Sequence, residues 1–159
     1  MRKTLVFAVV CVLATSVWSA EALAAPSPKA TGGGTATSGT GTVDFSFVGQ
    51  ASDSNAKGNF SLEFLSGALS GQSYEGEVSC LAQSGNVGVL GGFVTETNNP
   101  TITFIRITVQ DNGEGSHASG PDLIRIQRFA SAPPVSSRCQ LPDGGFQFDE
   151  VLSGNIQVH

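Results

Sequence analysis

The densest group of side chains that could do chemistry lies between residues 111 and 122. It combines carboxylates, an amide and an imidazole, in the order Asp111, Asn112, Glu114, His117 and Asp122. Oxygen ligands of this kind bind Ca²⁺ in proteins. The spacing, however, lacks the alternating ligands, central glycine and terminal glutamate of an EF-hand loop. A tight turn explains the same residues, because Asn and Gly tolerate positive φ and Asp bonds to nearby backbone amides.

Two interpretations of this loop stay open at the level of sequence. We favour a structural turn in which Gly113 adopts a backbone conformation that a Cβ would penalise. The alternative is a weak Ca²⁺ or small-ligand site built from Asp111, Asn112, Glu114 and Asp122. Neither interpretation requires a cofactor, and we predict none.

Hydrolysis would require a nucleophile and a base within hydrogen-bond reach of each other. The available imidazoles are His117, which lies in a glycine-rich loop, and His159, the last residue, where fraying is expected. The simpler interpretation of His117 is a solvated histidine in a loop. The hydrolase motifs G-x-S-x-G and H-E-x-x-H do not occur in the sequence. We predict that the chain is not an enzyme, and keep a hydrolase using His117 with Asp111 or Asp122 as an alternative.

A ligand could also bind inside a small β-barrel. The aromatic residues expected at inward strand positions are Phe45, Phe47, Phe60, Phe64, Tyr74 and Phe104. They would either line a cavity or, as we expect, fill the core. If Arg106 and Arg125 faced inward they would be anchors for an anionic ligand, because a buried charge needs a partner. Outward positions, paired with glutamates on neighbouring strands, are the simpler expectation.

Composition narrows the class of protein further. The chain has 159 residues, only 13% of them charged, with 20 glycines and a formal net charge of −5. A single domain with many turns and few helices follows, and nucleic acid is excluded as a partner because phosphate-neutralising charge is lacking. The natural partner remains unknown, with a small ligand as the candidate.

The first 24 residues predict a secretory signal peptide. Arg2 and Lys3 precede the apolar run Leu5–Leu13, and small residues permit cleavage after Ala24. The run is too short to span a membrane, and no other segment is long enough. We therefore predict a periplasmic or extracellular protein. Cleavage would leave two cysteines, Cys80 and Cys139, which we expect to form a disulfide.

The composition and the pattern of apolar residues predict how the chain is organised after the signal segment. Residues 25–41 are rich in Gly, Ser, Thr and Pro and predict a flexible leader, and residues 42–159 predict one all-β domain. Period-two patterns separated by turn residues predict eight strands, at Val43–Phe47, Phe60–Phe64, Tyr74–Cys80, Val87–Thr95, Ile102–Gln110, Leu123–Phe129, Phe146–Phe148 and Asn155–Val158. An antiparallel eight-stranded meander barrel is favoured because closure removes edges; a two-layer β-sandwich is the alternative.

Two details of the pattern bear on packing. Cys80 falls at an inward position of its strand. In Ile102–Gln110 the apolar positions change face, since Phe104 lies on one side while Ile105 and Ile107 lie on the other. Either a bulge or a strand buried on both faces would explain that change.

The string Asp111-Asn112-Gly113-Glu114-Gly115, followed by Gly120-Pro121-Asp122, is the most distinctive in the chain. Together with Val78-Ser79-Cys80-Leu81 and the terminal Leu152–His159, it resembles small exported all-β proteins of unknown function found in bacteria. The resemblance covers most of residues 43–159. It implies an exported all-β domain, and it implies no chemistry.

Overall fold

The computed structural model describes residues 27–52, 55–144 and 147–159; the predicted signal segment, residues 1–24, lies outside them. Within this part the chain is all-β apart from short 3₁₀ turns at Gly67–Leu69, Gly115–His117 and Val135–Ser137. The strands are β1 (Lys29–Ser38), β2 (Gly41–Ser52), β3 (Asn55–Phe64), β4 (Ser73–Ser84), β5 (Val87–Thr97), β6 (Phe104–Gln110), β7 (Leu123–Phe129) and β8 (Asp149–Val158). No helix in these ranges is long and apolar enough to cross a membrane.

Each strand pairs antiparallel with the next, and β1 pairs with β8, so the sheet closes into a barrel. The predicted meander barrel is confirmed, and the sandwich alternative is wrong. The ladders differ greatly in length. Whereas β1 and β2 pair from Lys29–Gln50 to Ser38–Gly41, the described residues of β8 pair with β7 only at Leu123 and Ile124. We call the barrel wall along the rest of β7 the seam.

Strand β1 corrects the prediction that residues 25–41 form a flexible leader. Residues 29–38 are hydrogen-bonded to β2 on one side and to β8 on the other. The glycines of this strand make room for neighbouring side chains, since a Cβ at Gly32 would lie 2.6 Å from Phe47 Cζ. The segment contributes backbone pairing and close packing instead of large apolar side chains. Composition alone therefore did not reveal it as a strand.

The carboxyl-terminal strand requires a second correction. Of the predicted strand Phe146–Phe148, Gln147 and Phe148 belong to no strand, and Phe146 lies outside the described residues. Strand β8 instead runs without interruption from Asp149, through the expected turn at Gly154. Gly154 has a φ of 98°, and a Cβ there would lie 2.0 Å from the Gly33 carbonyl oxygen. The glycine thus allows close strand contact where the sequence indicates a turn.

The barrel interior is filled by side chains from alternate strand positions. Five of the expected aromatics lie there with at most 4% exposure, namely Phe45, Phe47, Phe60, Phe64 and Tyr74. Glycines face the largest rings, and a Cβ at Gly76 would lie 2.3 Å from the Phe60 ring. Large side chains opposite glycines let a narrow barrel pack at the density of a protein core.

Phe104 is the sixth expected aromatic, and it lies on the outer face of the barrel. Strand β6 contains no bulge, so Ile105 and Ile107 point inward and Phe104 points outward. Phe104 is nonetheless 0% exposed, with its ring 5.3 Å from that of Phe93 and 6.2 Å from that of Phe129. Of the two explanations for the pattern in β6, burial on both faces is correct.

Residues 130–144 form a covering segment over this outer aromatic cluster. The predicted disulfide between Cys80 and Cys139 attaches the segment to β4, with the two Cα atoms 6.0 Å apart. A register shift between Val78 and Cys80 moves Cys80 to the outer face and corrects its predicted inward direction. The extra residue, Ser79, donates its hydroxyl hydrogen to the Gly91 carbonyl oxygen. The bulge therefore places the cysteine where the covering segment can reach it.

Candidate functional site

The loop between β6 and β7 carries the residues predicted as a metal or ligand site. Asp122 is 8% exposed, and its two carboxylate oxygens accept hydrogen bonds from Asn112 N at 2.9 Å and Ile156 N at 2.8 Å. The oxygens of Asp111 accept from Gly113 N at 2.9 Å and Val158 N at 3.1 Å. All four oxygens thus bind backbone amides, two of which belong to β8.

The exposed side of the same loop makes similar contacts. Glu114 Oε1 accepts from Asn155 Nδ2 at 2.6 Å and from Gln157 Nε2 at 3.1 Å, and Asn112 Nδ2 donates to the Pro121 carbonyl oxygen at 2.6 Å. Gly113 has a φ of 82°, as the turn interpretation requires. No group of three or more His, Cys, Asp or Glu side chains in the described ranges is arranged to hold a metal ion. The geometry favours a structural loop that attaches β8 to the barrel.

The hydrogen bonds given by the structure for His117 and His159 involve their backbone groups. His117 ends an exposed 3₁₀ turn, and its backbone N–H donates to the Glu114 carbonyl oxygen. Within the described part of the chain, its imidazole makes no hydrogen bond to Asp111 or Asp122. His159 is paired with Lys29 through both backbone groups, at 2.8 Å each, which corrects the expectation that this end frays. The geometry therefore shows no assembled imidazole–carboxylate pair at this loop.

The arginines of β6 and β7 divide between the two faces of the sheet. Arg106 lies outward, where its Nε donates to the Arg138 carbonyl oxygen at 2.9 Å and its Nη2 to the Ser137 carbonyl oxygen at 2.6 Å. Burial, and secondly the positive charge of Arg125, lower the pKa of Arg106. Arg106 thus fixes the covering segment to the barrel, and Arg125 also lies on the outer face. Neither has the inward position that an anchor inside the barrel would need.

Arg128 is the arginine that faces inward. It pairs across the ladder with Ile105 and follows Ile124 and Ile126 at the alternate positions of β7 that point into the barrel. Its guanidinium carbon lies 5.6 Å from the centre of the Phe64 ring. The alternation of Ile124, Ile126 and Arg128 is the sequence signal that places a cation at an inward position. It identifies Arg128 as the inward arginine, in place of Arg106 and Arg125.

One neutral side chain holds Arg128 in place. Arg128 Nη1 donates to Gln72 Oε1 at 3.1 Å, and the same oxygen accepts from the buried Tyr74 hydroxyl and, at 3.2 Å, from Asn99 Nδ2. Among the described residues, none accepts a hydrogen bond from Nε or Nη2 of Arg128, and no carboxylate pairs with the guanidinium. The guanidinium is therefore oriented by protein contacts while one of its edges stays available.

Arg128 also lines a pocket of about 360 Å³ on the seam of the barrel. Its apolar wall consists of Phe64, Leu69 and Ile126, and its polar rim includes Ser38, Thr40 and Ser66. We call this the seam pocket. The seam pocket opens beside the part of β7 that is not paired with the described residues of β8, next to the turn that joins β1 to β2. The volume lies within the range typical of small-ligand sites, roughly 300–1,000 Å³.

This pocket could not be predicted from the sequence, because three of its nine lining residues, Ser38, Gly39 and Thr40, belong to the segment predicted to be flexible. Comparison with protein-family models, with curated proteins and with solved structures finds no match to this chain.

Proposed function

We propose that this chain is an exported, non-enzymatic binding module that takes a small ligand in the seam pocket. The observation that supports this most directly is the position of Arg128, a cation at an opening of the barrel wall with an apolar surface beside it. Small-ligand sites typically combine an apolar wall with a few oriented polar groups. The carboxylates of the β6–β7 loop, in contrast, are used for contacts with backbone amides.

Export is part of the proposal. It is supported by the positively charged start of the chain, the apolar run Leu5–Leu13 and the disulfide, which forms readily in oxidising compartments. Expression of the full chain in a bacterium, followed by cell fractionation and amino-terminal sequencing, tests it. We expect protein outside the cytoplasm that begins at Ala25. Recovery of the uncleaved chain from the cytoplasm would contradict export.

Binding is tested with three compact aromatic probes, benzoate, benzamide and benzyl alcohol, by saturation-transfer NMR on the disulfide-bonded protein. The exposed Ala68 lines the pocket, so Ala68→Trp should fill it without disturbing the core. Ala118→Trp is the matched control, since Ala118 is also exposed but lies in the β6–β7 loop. We expect at least one probe to bind the parent and the control and to lose binding in Ala68→Trp. Binding of no probe, or equal binding by all three proteins, would refute the proposed site.

A further inference from the structure

The chemistry of the seam pocket indicates which class of ligand it takes. We infer that the ligand is a monoanionic carboxylate carried on a compact aromatic or short aliphatic group. This inference rests on the proposed function and goes beyond it by naming the recognising group, Arg128, and the charge and shape that this group selects.

The guanidinium of Arg128 has one edge that is not hydrogen-bonded to the described residues. Nη1 is held by Gln72, which leaves the parallel N–H bonds of Nε and Nη2 on the adjacent edge. Two parallel N–H donors match the two oxygens of one carboxylate, and such paired, charge-assisted bonds are stronger than neutral ones. A single lysine at this place would supply charge without this fork.

The charge around Arg128 limits which ligands can bind in the seam pocket. The residues that line the pocket are neutral apart from Arg128. Beside them, the carboxylate of Asp149 accepts a hydrogen bond from the N–H of the lining residue Gly39 at 3.3 Å. Arg128 can therefore balance at most one negative charge on a ligand. A dianion such as phosphate would keep an uncompensated charge next to apolar surface, which is costly. Charge balance therefore favours a monoanion.

One wall of the seam pocket is apolar. Leu69 and Ile126 pack against the barrel core, and Phe64 lies beneath the guanidinium with 2% of its surface exposed. A carboxylate bound at Arg128 would place the group attached to it against this wall, where burial of apolar surface adds affinity. The volume of about 360 Å³ accommodates one ring or a short chain.

The test compares benzoate with benzamide, which has nearly the same shape without the charge. Dissociation constants are measured by NMR titration on the disulfide-bonded parent, on Arg128→Gln and on Lys57→Gln. The last variant removes one positive charge from an exposed position on β3 and serves as the control. We expect benzoate to bind the parent and the control about tenfold more tightly than benzamide. In Arg128→Gln this preference should disappear, because benzoate loses more affinity than benzamide does.

The outcomes separate this inference from the proposed function. If benzamide binds the parent as tightly as benzoate and Ala68→Trp abolishes both, the pocket is a ligand site and the carboxylate inference is wrong. If a preference for benzoate persists in Arg128→Gln, the inference is also wrong. If neither probe binds, the proposed function itself fails. Should Arg128→Gln not fold, Arg128→Lys replaces it, with a reduced preference expected because the charge remains and the fork is lost.

Discussion

Three consecutive glycines in β1 provide a test of whether this segment is a wall of the barrel or a flexible leader. A Cβ at Gly32 would point inward and lie 2.6 Å from Phe47 Cζ, in a ring that is only 4% exposed. A Cβ at Gly33 would point outward, with its nearest neighbour, the Phe45 carbonyl oxygen, at an ordinary 3.6 Å. Adjacent glycines thus meet opposite environments.

The expected changes in the free energy of unfolding follow from these distances. Gly32→Ala forces the ring of Phe47 to move in a packed core, which costs about 1–3 kcal/mol. Gly33→Ala should be neutral or stabilise by up to about 1 kcal/mol, because alanine restricts the unfolded chain. Gly34→Ala should cost more than about 3 kcal/mol, since backbone strain adds to a severe clash. The Gly34 Cβ would lie 1.9 Å from the Ser153 carbonyl oxygen, at a φ of 151°.

Urea unfolding of the three variants, with the disulfide intact, measures these values directly. The decisive comparison is Gly32→Ala against Gly33→Ala, because both change the same residue type in the same strand. Equal unfolding free energies for these two variants would refute the packing of β1 against Phe47. If all three variants matched the parent, residues 29–38 would be a leader after all.

Other predictions follow from contacts outside β1. Asp122→Ala removes the acceptor of two backbone amides and should cost roughly 3–5 kcal/mol by urea unfolding, whereas the exposed Glu114→Ala should cost less than about 1 kcal/mol. Replacing both Cys80 and Cys139 by Ser should lower stability by about 4 kcal/mol, from the entropy of the open loop, with circular dichroism still showing sheet. Gly113→Val should lower the free energy of unfolding by roughly 1–3 kcal/mol, because the positive φ of Gly113 penalises a β-branched residue. An unchanged midpoint of urea unfolding would contradict that backbone conformation.

The order of most strands could be predicted from the sequence because their apolar residues alternate. Val43, Phe45 and Phe47 point to one face wherever the strand lies, and the same rule identifies β3 and the first part of β4, whereas β5 and β6 are identified mainly by the turn residues that precede them. The disulfide could be predicted because Cys80 and Cys139 are the two cysteines that follow the predicted signal segment. The turn at Gly113 also follows from local chemistry, since Asp and Gly at these positions favour a turn.

Other features depend on residues far apart in the chain, and only the tertiary structure decides them. Strand β1 has no large apolar residues, so its place in the barrel depends on β2 and β8 accepting its backbone hydrogen bonds. Phe104 is buried on the outer face because Cys139 brings the covering segment over it. Arg128 has inward parity by sequence alone, yet β8 pairs with β7 only at Leu123 and Ile124, which leaves this cation beside an opening. Alternation determines which face a side chain points to, whereas pairing between distant strands determines whether that face is packed, covered or open to a ligand.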